Sequence, residues 1–143
     1  MKYKDESEIT SVGCGFENAT ISRDKWKHAE HLTVALHYLC NHDIDTATEK
    51  MRSGILNLLR SFDIELSKEM PYHETLTIFW IKTVAGFNDT KNGCSLLEKA
   101  NDLVATYDKD HPLKFYSRDY LFSDVARRRF VEPDLLLPSK NKL

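Results

Sequence analysis

The stretch Asp24-Lys-Trp-Lys-His28-Ala-Glu-His31-Leu-Thr-Val-Ala-Leu-His-Tyr-Leu-Cys-Asn41 holds a continuous helical pattern. Turning it by about 100° per residue gathers Leu32, Ala35, Leu36 and Leu39 on one side, with His28 and His31 among them. His37 falls opposite, beside Glu30 and Thr33. This periodicity predicts an amphipathic helix from about Asp24 to Asn41, with Ser22 or Asp24 as its N-cap. Downstream, Ala47, Met51, Gly54, Ile55, Leu58 and Phe62 share one side of a second helix over about 46–62. Gly54 on that side predicts a close approach by a neighbouring helix. Pro71 is tolerated at a helix start, so a third helix is expected just after it, running through Trp80 to about Phe87 with Gly86-Phe-Asn-Asp as its end. Leu76, Trp80, Val84 and Phe87 form its stripe, and His73 lies within that stripe. Ser95-Leu-Leu-Glu98 reads as a capping box opening a fourth helix that ends near Tyr107.

Asp110-His-Pro112 breaks the chain, and Ser117 or Ser123 can cap a short helix to about Phe130. Pro133 and Pro138 bracket an extended apolar tail, Leu135-Leu-Leu137, expected to pack back on the helices. Five glycines and four prolines are few for an all-β chain, and no period-2 alternation is sustained. The fold class is therefore all-α: a single-domain helical bundle of four main helices, a short fifth helix and an extended C-terminal tail. A length of 143 residues suits one core, with 1–15 and 139–143 expected as flexible ends and 16–138 as the helical domain.

Composition narrows the function classes. Hydrophobic residues make up 41% and charged residues 29%, too apolar for a largely disordered chain. The formal charge of −2 gives no general attraction to nucleic acid or anionic lipid, and Arg127-Arg-Arg129 alone is thin support for a nucleic-acid face. No signal-peptide core and no run of roughly 20 apolar residues is present, which predicts a cytoplasmic protein without a membrane span. Cys14, Cys40 and Cys94 are widely spaced, so three unpaired thiols are expected, two of them packed inside. No G-x-S-x-G, P-loop or G-x-G-x-x-G occurs, and Gly13-Cys-Gly15 is too short for a phosphate loop. A homodimer suits a small helical protein, though no pattern fixes its interface.

The histidines carry the sharpest chemical signal. His28, His31 and His73 all fall in the first turns of their helices, where the positive end of the helix dipole disfavours imidazolium. Neutral imidazole can ligate a metal or act as a base, and residues three apart on a helix serve one neighbourhood. Helices one and three can thus bring His28, His31 and His73 around one divalent ion such as zinc, nickel or iron, with water or substrate at an open position. Two expectations compete with it: a purely structural role, with each imidazole bonded to a carbonyl, carboxylate or water, and a metal-free polar pocket.

Four blocks also carry a resemblance: Trp26-x-His28-x-x-His31-Leu32, Tyr72-His73-Glu74-Thr75-x-Thr77, Tyr116-Ser117-Arg118-x-x-Leu121-Phe122-Ser123, and Val131-Glu132-Pro133-Asp134-Leu135. Over about 16–138 the chain resembles a family of small bacterial helical proteins in which the W-x-H-x-x-H-L and Y-H-E-T blocks travel together. The resemblance implies a shared architecture and joint importance of the histidine blocks; it implies no substrate.

Two functions of different class follow. One is a metal-dependent small-molecule enzyme, with His28, His31 and His73 as ligands, Glu74 as general base or orienting carboxylate, and Arg118 and Tyr72 contacting an anionic substrate. The other is a helical interaction or binding protein with structural histidines and no catalysis. Glu132-Pro-Asp134 is expected to act as a turn or clasp anchoring the tail.

Overall fold

Five consecutive residues, Leu32 to Leu36, have no accessible surface. A helix packed on one side exposes every third or fourth residue, so such a run requires neighbours all round. In this computed structural model, which describes residues 1–64 and 72–135, that helix is α2 (His28–Asn41). Around it pack α1 (Glu6–Glu17), α3 (Ile44–Ser61), α4 (Glu74–Asp89) and α5 (Leu96–Thr106). A 3₁₀ turn (His111–Lys114), α6 (Arg118–Leu121) and α7 (Asp124–Arg128) follow, with α7 against α4. The described residues contain no strand, and none of their helices is long and apolar enough to cross a membrane.

The helix boundaries follow capping chemistry. Asp5 accepts the Glu8 N–H, Asp43 the Thr46 N–H, and Ser95 and Glu98 satisfy each other's backbone N–H groups as the capping box predicts. The helix expected from Asp24 starts four residues later. Residues 22–26 instead form a turn in which the Lys25 and Trp26 N–H groups donate to the Ser22 carbonyl. That turn carries the Trp26 ring onto Phe16, centroids 5.1 Å apart. The single short helix expected near the end is divided into α6 and α7, because Ser123 caps a new start. Pro71, Leu136, Leu137, Pro138 and the expected flexible end at 139–143 lie outside the described residues.

The largest departure from expectation is at the beginning of the chain. Residues 1–15, expected as a flexible segment, include most of α1, and Ile9 and Phe16 are fully buried. The extension before α1 is also fastened. Asn101 accepts the Tyr3 N–H at 2.8 Å and donates to the Tyr3 carbonyl at 3.0 Å, while the buried Tyr3 hydroxyl lies 2.7 Å from Thr33 Oγ1. The amphipathic pattern is masked in sequence because Gly13, a helix-weakening residue, occupies a buried position of this helix. Gly13 lets His37 come close: a Cβ there would lie 3.1 Å from the imidazole. His37, expected on the solvent side, is therefore half-buried. The same all-round packing buries Thr33, placed opposite the apolar side by rotation alone, and leaves Leu39 half-buried. All three cysteines are exposed, including the two expected inside.

Gly54 meets the expectation of close approach. A Cβ there would stand 2.2 Å from the Phe16 ring, and Phe16 is itself held between Trp26 and Tyr38. Gly54→Ala should destabilise the protein by about 1–3 kcal/mol despite alanine's better helix propensity, because the buried ring cannot yield without repacking. Gly86→Ala, at an exposed helical position with nothing within 4 Å of the added carbon, should be neutral or stabilising by up to about 1 kcal/mol. Urea denaturation of both variants checks the contrast; equal effects would remove the Phe16 clash as the cause.

Candidate functional site

His73 is the most fully committed of the three histidines. It is the N-cap of α4, and its Nδ1 accepts the Leu76 N–H at 3.2 Å. Its Nε2 donates to the Leu121 carbonyl at 2.7 Å, tying the start of α4 to the end of α6. This pair of bonds requires the neutral tautomer with its proton on Nε2. Burial lowers the pKa of the group, and the nearby Arg127 charge acts in the same direction. With both nitrogens engaged, His73 has no lone pair left for a metal.

His28 performs the same kind of work elsewhere. Its Nε2 donates to the Tyr107 carbonyl at 3.0 Å, tying the start of α2 to the end of α5, and its ring lies 4.9 Å from that of Trp80. His31 differs. Its Nε2 is buried and makes no hydrogen bond, with the Trp26 ring 5.9 Å away. Burial, reinforced by His28, pushes its pKa down to about 4, so the imidazole is neutral. The three histidines expected to share a metal thus occupy different environments. Among the described residues, no group of three or more His, Cys, Asp or Glu side chains is placed to hold a metal ion. The helix rotation put each imidazole on an inward side, but the carbonyl ends of α5 and α6 claim two of them.

The expected base and substrate contacts are architectural in their geometry. Arg52 of α3 donates to Glu74 through Nε at 2.9 Å and Nη2 at 2.6 Å, while the Tyr72 hydroxyl donates to Glu74 Oε1 at 2.6 Å. The Arg52 guanidinium holds the Glu74 carboxyl below its ordinary range, against the opposing effect of burial. A carboxylate engaged in this way is a weak base. Tyr72 spends its hydroxyl on the same carboxylate, and burial raises its pKa. Arg118 opens α6 and is exposed.

The rest of the Y-H-E-T block continues the pattern. Thr75 donates to the Arg129 carbonyl at 3.0 Å and accepts the Val131 N–H at 3.2 Å, and Thr77 donates to the His73 carbonyl at 3.0 Å. The clasp at Glu132-Pro-Asp134 is present. Asp134 accepts the Ser117 N–H at 2.8 Å and the Ser117 hydroxyl at 2.5 Å, and the Leu135 N–H donates to the Phe115 carbonyl at 3.0 Å. The buried Tyr116 hydroxyl donates to the Val131 carbonyl at 2.6 Å. His111, which no sequence pattern singled out, sits among aromatic rings, with Tyr107 at 4.8 Å and Phe115 at 5.4 Å.

A concave surface lies elsewhere. A groove of about 750 Å³ runs between α1, the 20–27 turn and the first turn of α2. Val12, Gly15, Ile21 and Ala29 make an apolar floor, and Lys2, Lys25, Lys27 and Glu30 stand around it. Lys2 pairs with Glu30 at 2.7 Å, and Glu30 also accepts the Lys27 N–H at 3.2 Å. None of these lysines belongs to a recognisable motif. The one signal in the sequence was Lys25-Trp-Lys27, in which tryptophan turns inward while the flanking lysines turn out.

The chain matches no protein-family model, no curated protein and no solved structure.

Between about pH 6.5 and about 4 the unfolded chain takes up a proton at His31 that the folded protein resists. Stability should therefore fall as pH falls through this window, by at most about 1.4 kcal/mol per pH unit for one group. His31→Phe, which keeps a ring against Trp26, should flatten that part of the slope. Urea denaturation at pH 7 and pH 5 measures the difference; equal slopes in the two proteins would remove His31 as a source.

Proposed function

We propose that the protein is a helical binding protein whose histidines fasten helix ends and whose small-molecule site is the groove between α1 and α2. The observation that carries this reading is the groove itself: about 750 Å³ in volume, with an apolar floor and charged side chains at its edge. That size and character fall within the range of small-molecule sites, roughly 300–1,000 Å³. The histidine geometry supports the same reading. His28 and His73 spend ring nitrogens on the Tyr107 and Leu121 carbonyls, and Glu74 spends both oxygens on Arg52.

The metal-enzyme alternative needs His73 to release either the cap of α4 or the end of α6. Each release leaves a backbone group without its partner, at a cost of about 1–3 kcal/mol where that group stays buried. On the binding reading, the named residues of the four sequence blocks preserve a scaffold, and ligand choice is set by other residues, including Lys27 and Ala29 at the unspecified positions of the first block.

Two measurements on the full chain test the proposal. Zinc or nickel added to chelator-treated protein should leave the melting temperature unchanged, whereas a specific ligand of the folded state would raise it. A rise abolished by both His31→Ala and His73→Ala would restore the metal site. In parallel, amide NMR spectra during titration with a mixture of small amphiphiles should shift at Val12, Gly15, Ile21 and Ala29. Shifts confined to other surfaces would overturn the groove as the binding site.

A further inference from the structure

The charges around the groove are unequal, and the inequality specifies a ligand. Three lysines, Lys2, Lys25 and Lys27, line it with one carboxylate, Glu30. Lys2 neutralises Glu30 at 2.7 Å. Lys25 and Lys27 are exposed, and among the described residues neither is paired with a carboxylate. The remaining field at the groove edge is therefore positive, and a low-dielectric floor beside it strengthens that field.

The floor itself narrows the class further. Val12, Ile21 and Ala29 are aliphatic, and among the described residues no aromatic side chain lines the groove. A nucleobase or other flat ring would find no stacking surface there. Gly15 sets the depth: a Cβ at that position would lie 2.7 Å from Ile21 Cγ1, so its absence lets Ile21 seat against α1. Ser11, Thr20 and Ser22 also line the groove and add hydroxyl groups to it.

Resting on the proposed binding function, we infer that the groove takes a free aliphatic monocarboxylate, its chain on Val12, Ile21 and Ala29 and its head between Lys25 and Lys27. Burial of the chain supplies affinity. Ammonium groups at the edge supply the selection for a negative head over a neutral or positive one of the same length.

Calorimetric titration of the full chain with octanoate, octanol and octyltrimethylammonium tests this directly. Octanoate should bind about tenfold more tightly than octanol, with the cation weakest. The Lys25→Gln/Lys27→Gln double variant changes two exposed side chains. It should bring octanoate down to the octanol level and leave octanol binding unchanged. Ser11→Trp, at an exposed position on α1, should weaken both ligands by narrowing the groove. Equal binding of octanoate and octanol by the unaltered protein would overturn the carboxylate assignment while leaving the groove as a binding site. Tight octanoate binding that survives the double lysine substitution would overturn the placement of the head. Binding of none of the three probes would overturn this inference, while the groove reading itself stands or falls on the amide shifts.

Discussion

Everything in this structure is arranged around the enclosure of α2. A helix with five successive residues at zero exposure cannot rest on a single partner, so four other long helices supply its walls. This enclosure has consequences for polar residues. Thr33 is buried and satisfied by donating to the Ala29 carbonyl at 2.8 Å while meeting the Tyr3 hydroxyl. Asn101 holds the Tyr3 backbone in that position through both its N–H and its carbonyl. The beginning of the chain is thus part of the core by way of a hydrogen-bonded chain of side chains. It is not merely laid over an apolar patch.

A second layer of organisation joins helix ends that are remote in sequence. Helices expose four carbonyls at their C-termini, and burying them without partners is costly. His28 takes the Tyr107 carbonyl beyond α5, His73 takes the Leu121 carbonyl that ends α6, and Thr75 takes the Arg129 carbonyl beyond α7. In each case a side chain at the start of one helix holds the end of another. Arg52, Glu74 and Tyr72 add a charged junction between α3 and the start of α4. These are the residue types that a catalytic site would use. Here, the hydrogen-bonding capacity of His28, His73, Glu74 and Thr75 is taken up by backbone and ion-pair partners, which gives each of them an architectural role.

The groove is built by what the scaffold leaves over. Trp26 turns inward to cover Phe16, and this fixes the 22–26 turn beside the first turn of α2. The lysines on either side of Trp26 then face the edge of a depression floored by α1 and Ile21. Shape and charge therefore share one cause, the anchoring of a single indole. The ring of His31, with its unbonded Nε2, lies 5.9 Å from the same tryptophan.

Periodicity and capping chemistry alone determined α2 to α5 to within a few residues at their ends, the all-helical class, the Ser95–Glu98 box and the close approach at Gly54. Each of these depends on neighbours within a few residues or on one position without a side chain, information that is local. The sequence also determined that His28, His31 and His73 lie near helix starts, where His73 is buried and His28 and His31 are half-buried. Tertiary structure decided the rest. Rotation about a helix axis yields a direction but no partner, so it could not distinguish three imidazoles meeting at a metal from imidazoles meeting separate carbonyls. Nor could it reveal α1, whose buried Gly13 hides the stripe, or the full enclosure of α2, which places Thr33 inside and brings His37 against α1. The groove was invisible for the same reason: its lysines and its floor are contributed by three separate segments, and only their packing makes them one surface.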